Sequence, residues 1–402
     1  MKRVFLKSRS QGGIPHSLYE ELLRSPPEGY CVFADKDRNT TRSGKVVYTK
    51  RQTLFDSLSK RLQSSSIARN TWREGKTLLY AGIKTAQSYT MSDPKADLIY
   101  ASQQFVYGNC PWIVDLEFAN ALVDYGDIRL CGRWVRKALT SDFCKKIIPW
   151  SDWSKRTLLR SLDCSSFKDK IQTVHFGTRA KKFAKRKEDD RIRLLFVGST
   201  NEQHYMNFEW KGGIEVVDAL PRLSKKYDVE LVIRSWVPPE IAAKCAKDPN
   251  IKLIRSMLSS EELSNLYASS DIFVFPSYLN LGMVILDAMS YGLALIAPNI
   301  FDVPEAVKDM ETGVLLDSPR LPFYAWNGTP NDYDLQLLVG IRRIRNWRTS
   351  QIVEKTSMLI EDSALRRRIG LNARSLVEEG EFSLSARNQK LKRVFGEATE
   401  TR

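Results

Sequence analysis

Histidine and cysteine are scarce and poorly placed for chemistry in this 402-residue chain, and that removes several classes of function. Only three histidines occur, His16, His175 and His204, too few for a multi-histidine metal centre; they read as structural or surface residues. The six cysteines (Cys31, Cys110, Cys131, Cys144, Cys164 and Cys245) are scattered, with no C-x-x-C pair. This spacing argues against a zinc or redox site and for buried free thiols in a reducing compartment. Neither a Gly-x-Ser-x-Gly elbow nor a Walker loop is present. Long apolar runs are missing too. The most apolar zone, 271–297, is interrupted by Pro276, Asn280, Asp287 and Ser290 and reads as buried core. The start turns polar by Lys7–Ser10, which predicts no secretory signal and a cytoplasmic location.

What is present is an ordinary globular composition, 43% apolar, in a chain long enough for two α/β domains of roughly 200 residues each. The net charge of +15 is unevenly spread. Residues 1–185 hold 33 Lys and Arg against 17 Asp and Glu, whereas residues 186–402 hold 29 against 30. An excess confined to one half predicts an anionic partner for that half, such as a phospholipid surface or a lipid-phosphate acceptor. Solubilising surface charge is the plainer alternative. No nucleic-acid module accompanies the charge, and Arg133-Trp134-Val135-Arg136-Lys137 is too short for a stacking platform, so nucleic acid is not an expected partner.

The patterning alternates strands and helices. In the first half, strands are predicted at Val4–Leu6, Tyr30–Ala34, Val46–Tyr48, Leu98–Ala101 and Trp112–Leu116, with a helix from Ser17 and another over Leu54–Leu62. A last unit runs from Lys146–Pro149 through an amphipathic Ser154–Leu162 to Ile171–His175. The polar stretch Gly177–Asp190 reads as a linker. Beyond it, strands are predicted at Arg193–Val197, Val229–Ile233, Ile251–Leu253 and Asp271–Phe275, and helices at Gly213–Leu223 and Ser260–Ala268, the latter capped by Ser259 or Ser260. Residues 319–334 are irregular, and helices around Leu335–Trp347, Ser363–Glu379 and up to Phe395 close the chain. Such alternation predicts mostly parallel sheets covered on both faces.

The most informative segment is Phe275-Pro276-Ser277-Tyr278-Leu279-Asn280-Leu281-Gly282-Met283-Val284-Ile285-Leu286-Asp287-Ala288-Met289-Ser290-Tyr291-Gly292. A buried strand ends at Pro276, a short loop carries Gly282, and an apolar helix follows. The free amides at that helix start lie at the C-terminal edge of a sheet and suit a diphosphate. Asp287, just over one turn in, is placed to accept bonds from ribose hydroxyls. This segment resembles the donor signature of glycosyltransferase family 4, the retaining GT-B enzymes. Val303-Pro304-Glu305, Glu311-Thr312-Gly313 and, upstream, Phe196-Val197-Gly198 with Trp210-Lys211-Gly212-Gly213 follow the same order. The first half carries the resemblance more thinly, on Gly12-Gly13, Pro111-Trp112-Ile113-Val114 and Trp153-Ser154-Lys155.

The resemblance implies two Rossmann-like domains facing a central cleft, 1–180 for the acceptor and 181–385 for the nucleotide sugar, with a helix from 386 to 402 packing back on the first domain. It further implies Lys211 on the donor diphosphate, Asp287 on the ribose, and Asn280, Leu281, Gly282 and Met283 as the donor loop. Gly12 and Gly13 would let the first domain's backbone approach the same diphosphate. Three positions depart from the family pattern. Its first signature glutamate falls at Leu279, the arginine after the strand glycine at Ser199, and the first-domain histidine at Glu117, which would then take the catalytic place beside Lys211. The expected activity is retaining, metal-independent and cofactor-free sugar transfer from a UDP- or GDP-type donor to a glycan or lipid-linked hydroxyl at the cytosolic membrane face. Loss of the glutamate keeps a non-catalytic nucleotide-sugar binder as the alternative. Asp35-Lys36-Asp37 imitates a metal-binding Asp-x-Asp but reads as a turn, and Asn327-Gly328-Thr329 carries no glycosylation meaning without a secretory signal.

Overall fold

The computed structural model describes residues 1–7, 17–34, 89–91, 95–183, 191–200, 207–318 and 335–400. Gly12 and Gly13, Asp35-Lys36-Asp37, the expected strand 46–48 and helix 54–62, the segment 184–190 and all of 319–334 lie outside the described residues. The packing divides the chain into two units, one built on Met1–Val174 with Asn388–Arg402 and the other on His175–Gly328 with Tyr333–Arg387.

The first unit is built on β1 (Lys2–Lys7), α1 (Ser17–Arg24), β2 (Tyr30–Ala34), β3 (Tyr89–Met91), β4 (Leu98–Ser102), β5 (Phe105–Tyr107), β6 (Trp112–Leu116), α2 (Gly132–Thr140), β7 (Cys144–Pro149) and α3 (Asp152–Ser161). Five strands pair in parallel in the order β2-β1-β4-β6-β7, and β3 and β5 pair separately. Every residue of β4 and of β6 is buried, as expected where both faces of a parallel sheet are covered. The core gathers Val114, Leu116, Leu139, Ile147, Leu158 and Phe167 around Trp112. Ser151 caps α3 by accepting from the Ser154 amide.

The strand expected at Ile171–His175 does not form. The Gln172 and Val174 amides donate to the Ile147 and Pro149 carbonyls, but only Ile171 makes a bridge, as the chain runs past β7 at the sheet's edge.

The second unit holds β8 (Ile192–Val197), α4 (Asn207–Trp210), α5 (Gly213–Leu223), β9 (Val229–Arg234), α6 (Pro239–Cys245), β10 (Ile251–Ile254), α7 (Ser260–Ala268), β11 (Ile272–Val274), α8 (Met283–Ser290), β12 (Ala294–Pro298), α9 (Val303–Ala306), β13 (Val314–Leu316), α10 (Leu335–Glu361) and α11 (Ser363–Glu378). Its six parallel strands run β10-β9-β8-β11-β12-β13. In chain order this is the doubly wound sequence 3-2-1-4-5-6, whose order reverses between β8 and β11. The Ser259 hydroxyl and the Glu262 carboxylate form a capping box at the start of α7.

α10 corrects the expectation of a helix ending near Trp347, since it continues for 27 residues. The apolar rhythm is hidden there because polar residues occupy the buried face: Arg348 is fully buried, with its guanidinium 5.6 Å from the centre of the Tyr278 ring, and Thr349 and Thr356 are buried as well.

The last helix, α12 (Leu384–Glu400), starts in the second unit, and from Asn388 onward its residues belong to the first. Asn388 donates to the Ser25 carbonyl at 3.1 Å, Lys392 pairs with Glu28 at 2.7 Å, and Phe395 meets Tyr30 edge-on at 5.2 Å. No helix among the described residues is long and apolar enough to cross a membrane.

Candidate functional site

In the second unit, four loops meet at the C-terminal edge of the sheet, beside the reversal of strand order. The first follows β8. Gly198 has no room for a side chain, because an added Cβ would lie 2.3 Å from Ser235 Oγ. The loop after β9 is tied to it: the Trp236 amide and the Ser235 hydroxyl both donate to the Ser199 carbonyl, at 2.7 and 3.1 Å. The third carries Lys211 and Gly212 between α4 and α5. Gly212 has φ +73°, and an added Cβ would meet the Pro276 carbonyl and ring at 2.6 Å, so only glycine brings Lys211 this close to the end of β11. The fourth loop is 276–282, anchored by the Tyr278 amide donating to the Trp210 carbonyl at 2.8 Å.

Charge at this edge is positive. Burial holds the Lys211 ammonium below the usual lysine range, and the nearby charge of Arg234 pushes it in the same direction. Arg234 ends β9, paired in register with Val197. It too is depressed by burial. No carboxylate pairs with either cation among the described residues. No local motif marks Arg234; it becomes visible only when β8 and β9 are known to be neighbours.

The donor-loop residues lie on the same edge. Gly282 is the N-cap of α8, which has no side-chain cap, and Met283 is its first residue. The Leu281 amide donates to Asp302 at 2.7 Å, which fixes the loop. Asn280 is half-buried in it. Asp287, half-buried on α8, raises the pKa of the buried Tyr267 phenol, on which Arg234 acts in the opposite direction. Tyr267 therefore lies within the field of both. Leu279 packs against the apolar cluster of Trp210, Tyr278, Leu338 and Ile341. Behind the loop, Glu215 is fully buried, accepts from Tyr278 at 3.3 Å and faces Arg345 at 3.6 Å. Burial outweighs these contacts and raises its pKa to about 7.

The first unit's edge is different. Glu117 follows β6, accepts from the Tyr125 hydroxyl at 3.0 Å, and is held through its carbonyl by the Ser154 hydroxyl. Two residues earlier, within an otherwise apolar strand, stands Asp115, which the sequence reading did not single out. It is fully buried and accepts from Tyr19 at 2.7 Å, Tyr100 at 3.1 Å and the Gln103 amide at 3.0 Å. Desolvation outweighs these donors and lifts its pKa to about 6. Ser102 donates onward to Tyr19 at 2.6 Å, so the network locks α1 to the ends of β4 and β6. Among the described residues no three His, Cys, Asp or Glu side chains gather as a metal set.

Residues 191–322 match the family model described as Glycosyl transferases group 1. The chain is 30% identical over 134 residues to the alpha-maltose-1-phosphate synthase of Mycolicibacterium smegmatis, 31% of this chain and 32% of the relative. It is 25% identical over 217 residues to the alpha-D-kanosaminyltransferase of Streptomyces kanamyceticus, 52% of this chain and 46% of the relative. The first of these matches thus spans about a third of that relative's length and the second just under half. Among solved structures, sucrose-phosphate synthase from Thermosynechococcus elongatus aligns over 100% of both chains with a TM-score of 0.62 at 16% identity. Anabaena HepE in complex with UDP and glucose aligns over 98% of this chain and 99% of its own, with a TM-score of 0.57 at 14% identity. The fold is that of the GT-B glycosyltransferases.

Proposed function

We propose that this chain, which carries a glycosyl transferases group 1 domain in its second unit, transfers a sugar from a nucleoside diphosphate sugar to a hydroxyl acceptor. The observation that carries this reading is the pair of cations Lys211 and Arg234, neither paired with a carboxylate among the described residues, on the sheet edge that also carries the start of α8, which has no side-chain cap. A diphosphate there gains both the lysine charge and the unpaired amides of the helix start. The likeness to a protein held in complex with UDP and glucose supports the choice of ligand.

Transfer proceeds with retention. The acceptor oxygen bonds to the anomeric carbon on the face the diphosphate leaves, the sugar–phosphate C–O bond breaks, and the hydroxyl proton passes to the departing phosphate oxygen. Lys211 stabilises the charge that grows on that oxygen. Asp287 holds the ribose hydroxyls, and Glu117 orients the acceptor. No metal or further cofactor is called for when the lysine carries this charge.

The acceptor is a lipid-linked sugar or glycan at an anionic membrane surface, and the excess of Lys and Arg in residues 1–185 supports this. α2 presents Arg133, Trp134, Arg136 and Lys137 to solvent. A panel of UDP- and GDP-sugars incubated with polyprenyl-phosphate-linked sugars tests the reading. Release of nucleoside diphosphate together with an elongated lipid supports it, and donor binding with no turnover on any acceptor overturns it. That second outcome belongs to the non-catalytic binder, which the packing of Leu279 into an apolar cluster favours.

A further inference from the structure

Cations in this unit are treated in two ways: Arg348 on α10 is fully buried against the Tyr278 ring with no carboxylate partner, whereas two other arginines of that helix are paired. Arg342 and Arg345 both bond to Glu209, at 2.8 and 2.6 Å. Lys211 and Arg234 have no such carboxylate among the described residues, although both are substantially withdrawn from water. Arg234 is also only partly satisfied. Its Nη1 donates to the Gly198 carbonyl at 3.2 Å and its Nη2 lies 3.2 Å from Met257 Sδ, while its buried Nε has no hydrogen-bond partner. Holding two like charges together in a poorly hydrated place is unfavourable by itself. The arrangement is balanced once a multivalent anion lies between them.

The position of Arg234 adds a second argument. It ends β9, beside the residue that precedes Gly198. The loop after β9 is bonded to Ser199, the position at which the sequence lacks an arginine. A guanidinium entering from the neighbouring strand reaches the same loop from the side.

We infer that Arg234 is the second cation of the anion site, gripping the diphosphate together with Lys211 and supplying from β9 the charge that Ser199 does not. This assignment rests on the donor reading above for the nucleotide, but not for the anion. The planar fork of arginine, with an Nε–H still to be used, suits bidentate contact to phosphate oxygens, whereas Lys211 acts as a point charge.

The test measures calorimetric affinity for inorganic pyrophosphate, UDP, GDP, UMP and GMP, with wild type, Arg234→Gln and Arg234→Lys. Thermal unfolding of each variant serves as a control for folding. For Arg234→Gln the expected result is a loss of diphosphate and pyrophosphate affinity of roughly tenfold or more, as for one charge-assisted bond. Monophosphate binding changes far less, and Arg234→Lys falls between. A second readout follows proton uptake on pyrophosphate binding at alkaline pH, in buffers of different ionisation enthalpy. Wild type takes up protons because the anion favours the charged Lys211, and the uptake shrinks in Arg234→Gln, whose Lys211 is less depressed beforehand. Unchanged pyrophosphate affinity in a folded Arg234→Gln, or no pyrophosphate binding by wild type, overturns the inference. Arg234-dependent binding of pyrophosphate without binding of any nucleotide keeps the inference and defeats the nucleotide-sugar reading instead.

Discussion

Among the described residues, the C-terminal edges of the two sheets carry different side chains. The second unit's edge presents Lys211 and Arg234 with no carboxylate paired to them among the described residues. The first unit's edge carries Glu117, bonded by the Tyr125 hydroxyl, with Lys7 at the end of β1 and a fully buried Asp115 held beneath by Tyr19 and the Gln103 amide. Two parallel sheets thus provide different surroundings, because the residue at the end of each strand decides them. A pair of cations suits phosphate. A carboxylate with hydroxyl neighbours, as at Glu117, suits a neutral sugar hydroxyl, although the first unit has the larger share of basic residues. Net charge describes the unit's surface; local charge describes its site.

The largest expected effect comes from removing Lys211, the cation proposed to face the leaving group. Lys211→Ala lowers turnover on the order of 10²- to 10³-fold, the scale of a lost transition-state contact. Steady-state release of nucleoside diphosphate measures it. Glu117→Gln lowers turnover by roughly 10²-fold. Because Glu117 belongs to the first unit's edge, the variant's nucleotide affinity stays at the wild-type value, and a shared loss would dissolve the contrast between the two edges. Asp287→Ala weakens nucleotide binding by about tenfold, as for loss of one or two hydroxyl contacts. Its effect on pyrophosphate is small if the carboxylate serves the ribose, as proposed.

A further effect concerns stability rather than turnover or binding. Asp115 has a native pKa of about 6 against an ordinary 3.8, so the folded protein holds this proton more tightly than the unfolded chain. The stabilisation is complete below about pH 4 and is lost as pH rises through 6, a swing on the order of 3 kcal/mol. Asp115→Asn flattens that part of the stability profile, which denaturant unfolding at a series of pH values between 4 and 7 reads directly.

Much of the second unit was legible in sequence because its strands are short apolar runs bounded by glycine and proline. Gly213–Leu223 and Ser260–Ala268 are helices at those residues, and Ser259 caps the second. Lys211, Asn280, Leu281, Gly282, Met283 and Asp287 lie in one unit, around its sheet's C-terminal edge. What the sequence hid depends on neighbours in space. Arg234 matters through the pairing of β9 with β8, which no local motif records. Leu279 looks like a missing glutamate until its side chain is seen filling a cluster beneath α10. The length of α10 was hidden because Arg348 and two threonines occupy buried positions where the pattern calls for apolar residues. Asp115 left one signal, a carboxylate inside the run Trp112–Leu116, which asks for burial with partners.

The most direct test of the contrast between the edges is calorimetry of the intact chain against UDP- and GDP-sugars, with Lys211→Ala and Glu117→Gln in parallel. The account predicts that one nucleotide class binds wild type and Glu117→Gln alike and binds Lys211→Ala at least tenfold more weakly. Equal binding by Lys211→Ala, or binding lost only in Glu117→Gln, would contradict it.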